Sequence, residues 1–187
     1  PSYSITATAS DGTNSTNQAI TVNILDISEA PTFTSASSFT VNENQTSIGT
    51  LQATDPQNDT LTYSISGTDA SNISVNSSTG ALTFNSAPDY ETKTSYSITA
   101  TASDGTNSTN QAISISINDL NDNSPTFTSS DSLTVEENTR NVGTIEATDD
   151  DGDSISFSIS GTDANEFSLV SNTGVLTLIG LADYESK

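Results

Sequence analysis

Apolar and polar residues alternate with a period of two along several segments of the chain. In residues 95–103 every second position is Tyr, Ile or Ala, and the positions between them are Ser or Thr. Residues 61–66 and 111–118 show the same alternation. Side chains of a β-strand point alternately to the two faces of a sheet, so each segment predicts a strand with one buried face. No segment has the 3.6-residue period of a helix, and Ser, Thr, Asn and Asp disfavour helix interiors.

The sequence also repeats itself. Residues 2–20 are identical to residues 95–113, which lie 93 positions later. Matches further along, such as Val41 with Val135, are shifted by 94 because the linker before Pro125 is one residue longer. This pattern predicts a tandem array. We expect three pieces, called repeats A, B and C: the C-terminal part of a repeat over 1–30, a complete repeat over 31–124, and the N-terminal part of a repeat over 125–187.

Repeat B is predicted to contain seven short strands, and turn signals such as Asp104-Gly105 separate them. Seven antiparallel strands in one repeat predict an all-β fold of tandem seven-stranded Greek-key sandwiches, of immunoglobulin-like type. By the same count, repeat A supplies its last two strands and repeat C its first five. The predicted strands of repeat B are 39–41, 49–53, 61–66, 73–75, 81–84, 95–103 and 111–118.

Composition excludes several classes of function. The 187 residues include 24 acidic and only three basic side chains, which gives a formal net charge of −21. That charge argues against nucleic-acid binding and against docking on anionic lipid. The chain has no Cys and no His, so zinc and haem sites are not expected. No apolar run approaches the roughly 20 residues that span a bilayer, so we expect no membrane insertion in this segment.

Acidic residues are concentrated in loops around the linker between repeats B and C. Carboxylates that converge without Lys or Arg repel one another, so a cation is expected there. Ca²⁺ suits the site because it takes six to eight oxygens from carboxylates, carbonyls and amides, whereas Mg²⁺ prefers a tighter octahedron. The alternative is that these residues only end strands and cap turns, as we expect for Asp59 and Asp69. The candidate ligands are Glu43, Asp89, Glu91, Asp119, Asp122, Asp149 and Asp151, with the amides of Asn121 and Asn123.

The acidic motifs resemble those of the cadherin family, in particular the bacterial cadherin-like repeats, over essentially the whole chain. The motifs are Val-Asn-Glu-Asn at 41–44, Asp-Tyr-Glu at 89–91, Asp-Leu-Asn-Asp-Asn at 119–123 and Asp-Asp-Asp at 149–151. The resemblance implies junctions that bind up to three Ca²⁺ and stiffen the array. It also implies further ligands, namely Asp11, Asp26, Glu29, Asp55, Asp104, Glu137, Asp183 and Glu185.

The junction between repeats A and B departs from this family pattern. Its linker is one residue shorter, and the Asp-x-Asp motif becomes Asp55-Pro56-Gln57, which removes one carboxylate. We therefore expect fewer or weaker ions at the A/B junction than at the B/C junction.

These observations predict a calcium-rigidified structural repeat of an extracellular adhesin or surface fibre, whose partners are neighbouring repeats. The alternative is a carbohydrate-binding or spacer module of a secreted polysaccharide-acting protein, with a protein or glycan ligand. Such a module normally exposes aromatic side chains, whereas most Tyr and Phe here fall in the inward phase of their strands. Paired carboxylates such as Asp89 and Glu91 could serve glycoside hydrolysis, but a catalytic pair repeated in every unit is not expected, so we predict no enzyme.

The sequence begins and ends in the middle of a repeat, which leaves two hypotheses open. The predicted hairpin of residues 1–24 could complete repeat C of an identical neighbouring subunit, giving a head-to-tail filament. Alternatively, the sequence is a slice of one long covalent array. Mass spectrometry of the native material distinguishes them, because a very long polypeptide excludes the subunit hypothesis.

Overall fold

The computed structural model describes residues 1–185, in which nearly all regular structure is β-strand. The two helices among these residues are single 3₁₀ turns, Ala70–Asn72 and Ala164–Glu166, and neither has the length or apolarity to cross a membrane. The strands are β1 Ser2–Ser10, β2 Ser15–Asn23, β3 Thr32–Phe33, β4 Ser38–Asn42, β5 Ser47–Thr50, β6 Ala53–Thr54, β7 Thr62–Ser66, β8 Ile73–Val75, β9 Ala81–Phe84, β10 Ser95–Ser103, β11 Ser108–Asn118, β12 Thr126–Phe127, β13 Asn141–Thr144, β14 Ala147–Thr148, β15 Phe167–Leu169 and β16 Val175–Leu178.

The chain divides into two compact units, which are described separately. Unit 1 comprises Pro1–Phe39, Ser47–Asn85 and Ser97–Ser114. Unit 2 comprises Thr40–Thr46, Ser86–Tyr96 and the described residues from Ile115 onward. The division into repeats A, B and C stays a prediction, and we keep these names for the sequence segments defined above.

Unit 1 holds an apolar core built from alternating strand positions. Strands β5, β9 and β8 form one antiparallel sheet, β3 pairs with β6, and β7 pairs with β10. The side chains that these strands turn inward are the Ile, Leu and Ala residues of the alternating pattern, and removing them from water is the main favourable term in folding. The all-β prediction is confirmed. The buried apolar residues of this unit are Ile48, Leu51, Ile73, Leu82, Phe84, Ile98, Ala100, Ala102 and Ile113.

A four-stranded sheet has the order β4-β11-β10-β7. Its two central strands, β10 and β11, are joined by a short turn and form a hairpin. The two edge strands each pair with one strand of this hairpin: β4 with β11, and β7 with β10. The hairpin therefore holds both edges of the sheet.

Strands β1 and β2 form a second hairpin, which matches β10 and β11 in sequence through Ile20 but has a different environment. The two strands pair over nine residues, from Ser2 opposite Asn23 to Ser10 opposite Ser15. Ile5 is 54% exposed, whereas Ile98, the same position of the central hairpin, is 2% exposed. A closely similar apolar face, identical through Ile20 and Ile113, is thus covered in one copy of the hairpin and uncovered in the other.

Unit 2 contains a framework with the registers of repeat B, shifted by 94 residues. Strands β12 and β14 pair as β3 and β6 do, and β13, β16 and β15 pair as β5, β9 and β8 do, with the irregularity at Gly49 reproduced at Gly143. Residues 132–136 and 156–160 correspond to β4 and β7 but are not strands. Two of the five strands expected in repeat C are therefore not formed among the described residues. Their counterparts in repeat B, β4 and β7, pair with the hairpin β10–β11.

Two details of repeat B differ from the sequence prediction. The predicted strand 49–53 is two strands, because β5 pairs with β9 while β6 pairs with β3 in another sheet. The break falls at Leu51, whose N–H donates to the Gly80 carbonyl at 2.9 Å instead of continuing a ladder. The two-residue strand β3 was not predicted, since so short a segment shows no alternation.

The backbone of Gly80 lies close to the backbone of Leu51 at this break, and a substitution of Gly80 tests this contact. Its φ of +73° is a left-handed conformation, and an added Cβ would fall against the Leu51 carbonyl oxygen. Gly105 has a φ of +93° with no atom near its Cβ position, so it serves as the matched control. We expect Gly105→Ala to lower the free energy of unfolding by roughly 1–2 kcal/mol through backbone strain.

We expect Gly80→Ala to cost at least about 1 kcal/mol more than Gly105→Ala, because the Leu51 backbone must move as well. Urea denaturation of both variants measures the difference. Equal losses of stability would contradict the close approach.

Candidate metal sites

Glu43 is a buried carboxylate that three chain segments hold in place. It follows β4 directly and is only 2% exposed. Its Oε2 accepts a hydrogen bond from the Tyr90 N–H and its Oε1 accepts one from the Leu120 N–H, both at 2.8 Å. Its own N–H donates to the Asn118 carbonyl. Glu43 thus ties the Asp-Tyr-Glu segment to the linker that follows β11.

Two groups of three carboxylates lie beside this anchor, within unit 2. The first is Glu43, Glu91 and Asp119, and the second is Glu91, Asp122 and Asp151. In each group the ligand oxygens lie within 4.8 Å of one another. Glu91 belongs to both, so the two groups form one continuous acidic cluster. It combines residues of repeat B, the linker and repeat C.

Asp151 is oriented by the linker. The Asn123 side-chain amide donates to Asp151 Oδ1 at 2.9 Å, and the Asn123 N–H donates to Oδ2 at 2.9 Å. The amide hydrogen bond is the main cause that holds the pKa of Asp151 below its usual value. The charged form of this carboxylate is therefore stabilised where a cation would meet it.

A third group consists of Asp149, Asp151 and Asp153, and Asp153 was missed by the sequence analysis. The Asp153 N–H donates to Asp149 Oδ1 at 3.3 Å after a turn at Gly152, whose φ is +73°. The side-chain amide of Asn121 also donates to Asp153. The sequence signal is the Asp-Gly-Asp at 151–153 that closes this loop, which lies one turn beyond the end of the family motif at Asp151.

The carboxylates differ in electrostatic environment. Desolvation by burial, followed by the charges of Asp151 and Glu43, raises the pKa of Asp119. In contrast, a hydrogen bond from the Thr92 hydroxyl, at 2.9 Å, is the main cause that lowers the pKa of Asp89. Asp89 belongs to none of the three-carboxylate groups among the described residues. Its charge is satisfied within its own turn.

Repeat C carries the same motif residues again. Glu137, Asp183 and Glu185 form a fourth group with ligand oxygens within 4.8 Å of one another. All three are exposed, in contrast to Glu43, the counterpart of Glu137. The difference has a direct cause, because in repeat B the end of β11 and the linker after it cover Glu43.

The junction between repeats A and B, within unit 1, has an amide where the other junction has a carboxylate. Gln57 stands at the position of Asp151, and its Nε2 donates to Glu29 Oε2 at 3.1 Å. Asp55 is 8% exposed; its Oδ1 accepts the Gln57 N–H at 2.9 Å, while its Oδ2 is buried without a partner among the described residues. A buried carboxylate oxygen left unpaired is costly, so a cation fits there as well.

The loop between β10 and β11 meets this linker. Asn107 Nδ2 donates to Ser28 Oγ at 2.9 Å, and Asp104 Oδ2 lies 3.5 Å from the same hydroxyl. Hydrogen bonds from the Asn107 and Thr106 N–H groups lower the pKa of Asp104. Asp11 has the same turn in the first hairpin, and Asp26 is exposed. Among the described residues, Asp11, Asp26, Glu29, Asp55 and Asp104 join no group of three carboxylates.

The donors at both junctions are carboxylate and amide oxygens, the ligands that a hard divalent cation prefers. Glu43, Glu91, Asp119, Asp122 and Asp151 would supply most of a Ca²⁺ coordination shell. The negative charges of these carboxylates favour an ion of high positive charge. At the A/B junction, the buried Oδ2 of Asp55 has no hydrogen-bond partner among the described residues. The residues present thus fit Ca²⁺.

Comparison with known proteins gives one family. Residues 37–118 match the family model for the cadherin domain. The chain is 36% identical over 141 residues, 70% of its length, to human protocadherin Fat 4, and 41% identical over 95 residues, 51% of its length, to mouse cadherin-related family member 2. The alignments span only 3% and 7% of those proteins.

Solved structures agree with the sequence matches. The human protocadherin-24 EC1-2 crystal structure superposes with a TM-score of 0.70 at 28% identity, covering 86% of this chain and 82% of that one. The protocadherin gammaB7 EC3-6 cis-dimer structure gives a TM-score of 0.74 at 27% identity, covering 99% and 52%. Mouse cadherin-23 EC22-24, at 22% identity and a TM-score of 0.75 over 98% and 65%, shares the fold.

The pKa of Asp119 is raised and that of Asp89 is lowered, so replacing these residues should change the melting temperature of the metal-free protein in opposite directions. Asp119→Asn removes a charge that the folded state disfavours, so we expect the melting temperature to rise, by about 1–3 °C. Asp89→Asn removes a charge that the fold stabilises, so we expect the melting temperature to fall. Differential scanning calorimetry at neutral pH checks both. A fall with Asp119→Asn would contradict the unfavourable environment, desolvated and close to other carboxylates, that raises the pKa of Asp119.

Proposed function

Because this chain belongs to the cadherin family, we propose that it is a calcium-rigidified structural repeat of an extracellular adhesin or surface fibre. Cadherin repeats are extracellular adhesion modules and not enzymes, and the prediction of no enzyme is confirmed. The chain spans a small share of its curated relatives, so the activity and partners of the full-length protein belong to the proposal. The observation that carries it is the acidic cluster around Glu91.

The mechanism follows from where the ligands come from. Glu43 and Glu91 belong to repeat B, Asp119 and Asp122 to the linker, and Asp151 to repeat C. An ion that binds all of them is bound only when the linker is held in one arrangement, so binding selects that arrangement over bent ones. Without an ion, repulsion between the carboxylates favours separation of the same segments.

The junctions differ in the proposed strength of binding. At the A/B junction the neutral Gln57 amide donates a hydrogen bond to the Glu29 carboxylate. This hydrogen bond replaces part of the stabilisation that a shared ion would give to Glu29. Fewer charged ligands lower calcium affinity. We therefore assign the tighter sites to the B/C junction, with Asp149 and Asp153 completing its ligand set, and the weaker site to Asp55, Asp104 and Glu29.

The proposal includes head-to-tail assembly by strand complementation. The hairpin β1–β2 exposes the apolar face that its twin buries, with Tyr3 62% and Ile5 54% exposed. Repeat C exposes a complementary trough of about 500 Å³, whose lining includes Phe127, Leu133 and Phe167. A hairpin from a second copy would cover this trough and pair with residues 132–136 and 156–160 as β-strand addition.

Calcium removal tests the rigidification. At a calcium concentration 100-fold above the dissociation constant, one site adds about 2.7 kcal/mol of stability, so we expect EGTA to lower the melting temperature by several degrees. We also expect a shorter maximum dimension in small-angle X-ray scattering. Asp151→Asn should shrink the calcium-induced shift, whereas Glu146→Gln, which removes the same charge outside every carboxylate group and outside the trough, should not. Unchanged melting and scattering in EGTA would refute the proposal.

Paired charge substitutions on the first hairpin test the assembly. Ile5→Asp puts a carboxylate on the exposed apolar face, where burial against a second copy would cost several kcal/mol. Thr6→Asp adds the same charge on the opposite face. We expect sedimentation velocity in calcium to show oligomers for the parent chain and Thr6→Asp but monomers for Ile5→Asp. A parent chain that stays monomeric at high concentration would exclude complementation by a second copy.

A further inference from the structure

Two turns with the same backbone geometry contact the two linkers: residues 55–59 in repeat B and residues 149–153 in repeat C. In each turn the N–H of the last residue donates to Oδ1 of the first, at 3.2 and 3.3 Å respectively. Each turn also has a left-handed residue at its fourth position, with a φ of +61° or +73°. The third position holds Gln57 in one turn and Asp151 in the other. The two junctions therefore differ there in side-chain chemistry rather than in backbone shape.

In unit 1, Gln57 contacts the linker through both ends of its side-chain amide. Its Oε1 accepts a hydrogen bond from the Glu29 N–H at 3.2 Å. Its Nε2 donates to Glu29 Oε2 at 3.1 Å and to the Ile27 carbonyl at 3.4 Å. The backbone bond fixes the orientation of the amide, because a backbone N–H can donate only to the amide oxygen. The amide nitrogen then meets the Glu29 carboxylate, so a neutral residue of the turn binds a charged residue of the linker.

In unit 2 the same two positions carry the opposite residue types. Asn123 is the counterpart of Glu29, and Asp151 is the counterpart of Gln57, each 94 positions later. The Asn123 N–H donates to Asp151 Oδ2 at 2.9 Å, which repeats the backbone bond of the other junction. The Asn123 amide donates to Asp151 Oδ1, also at 2.9 Å. Each junction thus has one amide and one carboxylate at this contact, but the linker and the turn have exchanged them.

We propose that this amide–carboxylate pair is a clasp that holds each linker on the following repeat without a metal ion, and that its two arrangements determine which linker fits which turn. The Gln57 turn supplies an acceptor and a donor, so it fits a linker that carries a carboxylate. A turn with a carboxylate offers only acceptors, so its linker must supply the amide. Two carboxylates at these positions would repel each other and leave an oxygen without a donor.

The clasp makes the two junctions depend differently on calcium, and this consequence rests on the proposed function. Asp151 also belongs to the acidic cluster with Glu91 and Asp122, so its charge faces other carboxylates as well as the clasp. Glu29 joins no group of three carboxylates among the described residues, and its partner in the clasp is neutral. We therefore expect calcium removal to loosen the linker at the B/C junction and to leave the A/B linker attached to repeat B.

Hydrogen exchange of the Glu29 N–H, followed by nuclear magnetic resonance in EGTA, tests the clasp directly. We expect this N–H to be protected in the parent chain. Gln57→Asp places a second carboxylate against Glu29, so we expect the protection factor at position 29 to fall at least about tenfold. Gln57→Asp combined with Glu29→Asn copies the pair of the B/C junction. We expect this double variant to return to within about threefold of the parent, because residues in direct contact are coupled.

A matched control separates the clasp from a general effect of charge. Gln52→Asp makes the same substitution at an exposed position of unit 1 outside the clasp, so we expect the protection at position 29 to change by less than about twofold. The substitution at residue 57 needs no new backbone conformation, because Asp already occupies the matching position of the turn in repeat C.

Calcium provides a second readout on the same N–H. In the parent chain we expect the protection factor at Glu29 to differ by less than about twofold between calcium and EGTA, because the clasp holds without an ion. In Gln57→Asp a divalent cation can neutralise the two facing carboxylates, so we expect calcium to raise the protection factor at least about fivefold. The exchange of one amide for a carboxylate would thus make this contact depend on calcium.

The possible outcomes test the clasp separately from the proposed function. Full protection in Gln57→Asp, or an equal loss in Gln57→Asp and the double variant, overturns the matched pairing. A parent N–H at Glu29 that is unprotected, or that loses its protection in EGTA, overturns a metal-free clasp and leaves calcium rigidification standing. Conversely, melting and scattering that do not respond to EGTA refute the rigidification, whereas a clasp that shows the expected exchange pattern is retained.

Discussion

The inner face of a β-sheet stays buried only while its central strands are in place, and in this fold the central pair is one contiguous hairpin. Strands β10 and β11 lie between β4 and β7, so they supply backbone partners to both edges and apolar side chains to the core. Two segments of the described chain match these edge strands in sequence but have no such pair beside them in the structure. Residues 132–136 and 156–160 have the sequence of edge strands yet are not strands, and Leu133 is exposed.

The second constraint is electrostatic and acts at the ends of the repeats. The buried Glu43 is satisfied by two backbone N–H groups, which makes it a fixed point around which Glu91 and Asp119 are arranged. Hydrogen bonds such as those from Asn123 to Asp151 hold the neighbouring carboxylates in place but leave their negative charges uncompensated. Desolvation by burial, with the charges of Asp151 and Glu43 in second place, raises the pKa of Asp119 in this arrangement. The proposed cation would neutralise these carboxylates.

Strand alternation and the internal repeat together predicted most of the fold. The alternation is clear because one face of each strand is mostly Ser and Thr, so few positions could be assigned to either the buried or the exposed face. The break at Leu51 was not predictable from alternation, since one apolar residue in mid-strand gives no sign that its N–H bonds to a distant turn at Gly80. Likewise, 156–160 shows the right alternation, but strand formation depends on a partner that sequence pattern does not report.

The candidate site was predicted less completely than the fold. Acidic motifs identified Glu43, Glu91, Asp119, Asp122 and Asp151, which the structure brings together. Asp153 was missed because its approach to Asp149 depends on the left-handed turn at Gly152. The hydrogen bond from the Thr92 hydroxyl to Asp89 could not be predicted either, because Thr is common throughout the chain. Local turn geometry, rather than motif spacing, separates bridging carboxylates from turn carboxylates.

Hydrophobic burial and charge act in opposite directions when two copies of this chain meet. Uncovered apolar faces at Ile5 and Phe127 would favour the proposed association, whereas the net charge of −21 on each copy would oppose it. The outward strand faces are Ser and Thr, so the repulsion is local to the poles. In the proposed assembly, burial would supply the strength of the contact, whereas a divalent cation near the carboxylates would reduce the repulsion that opposes it.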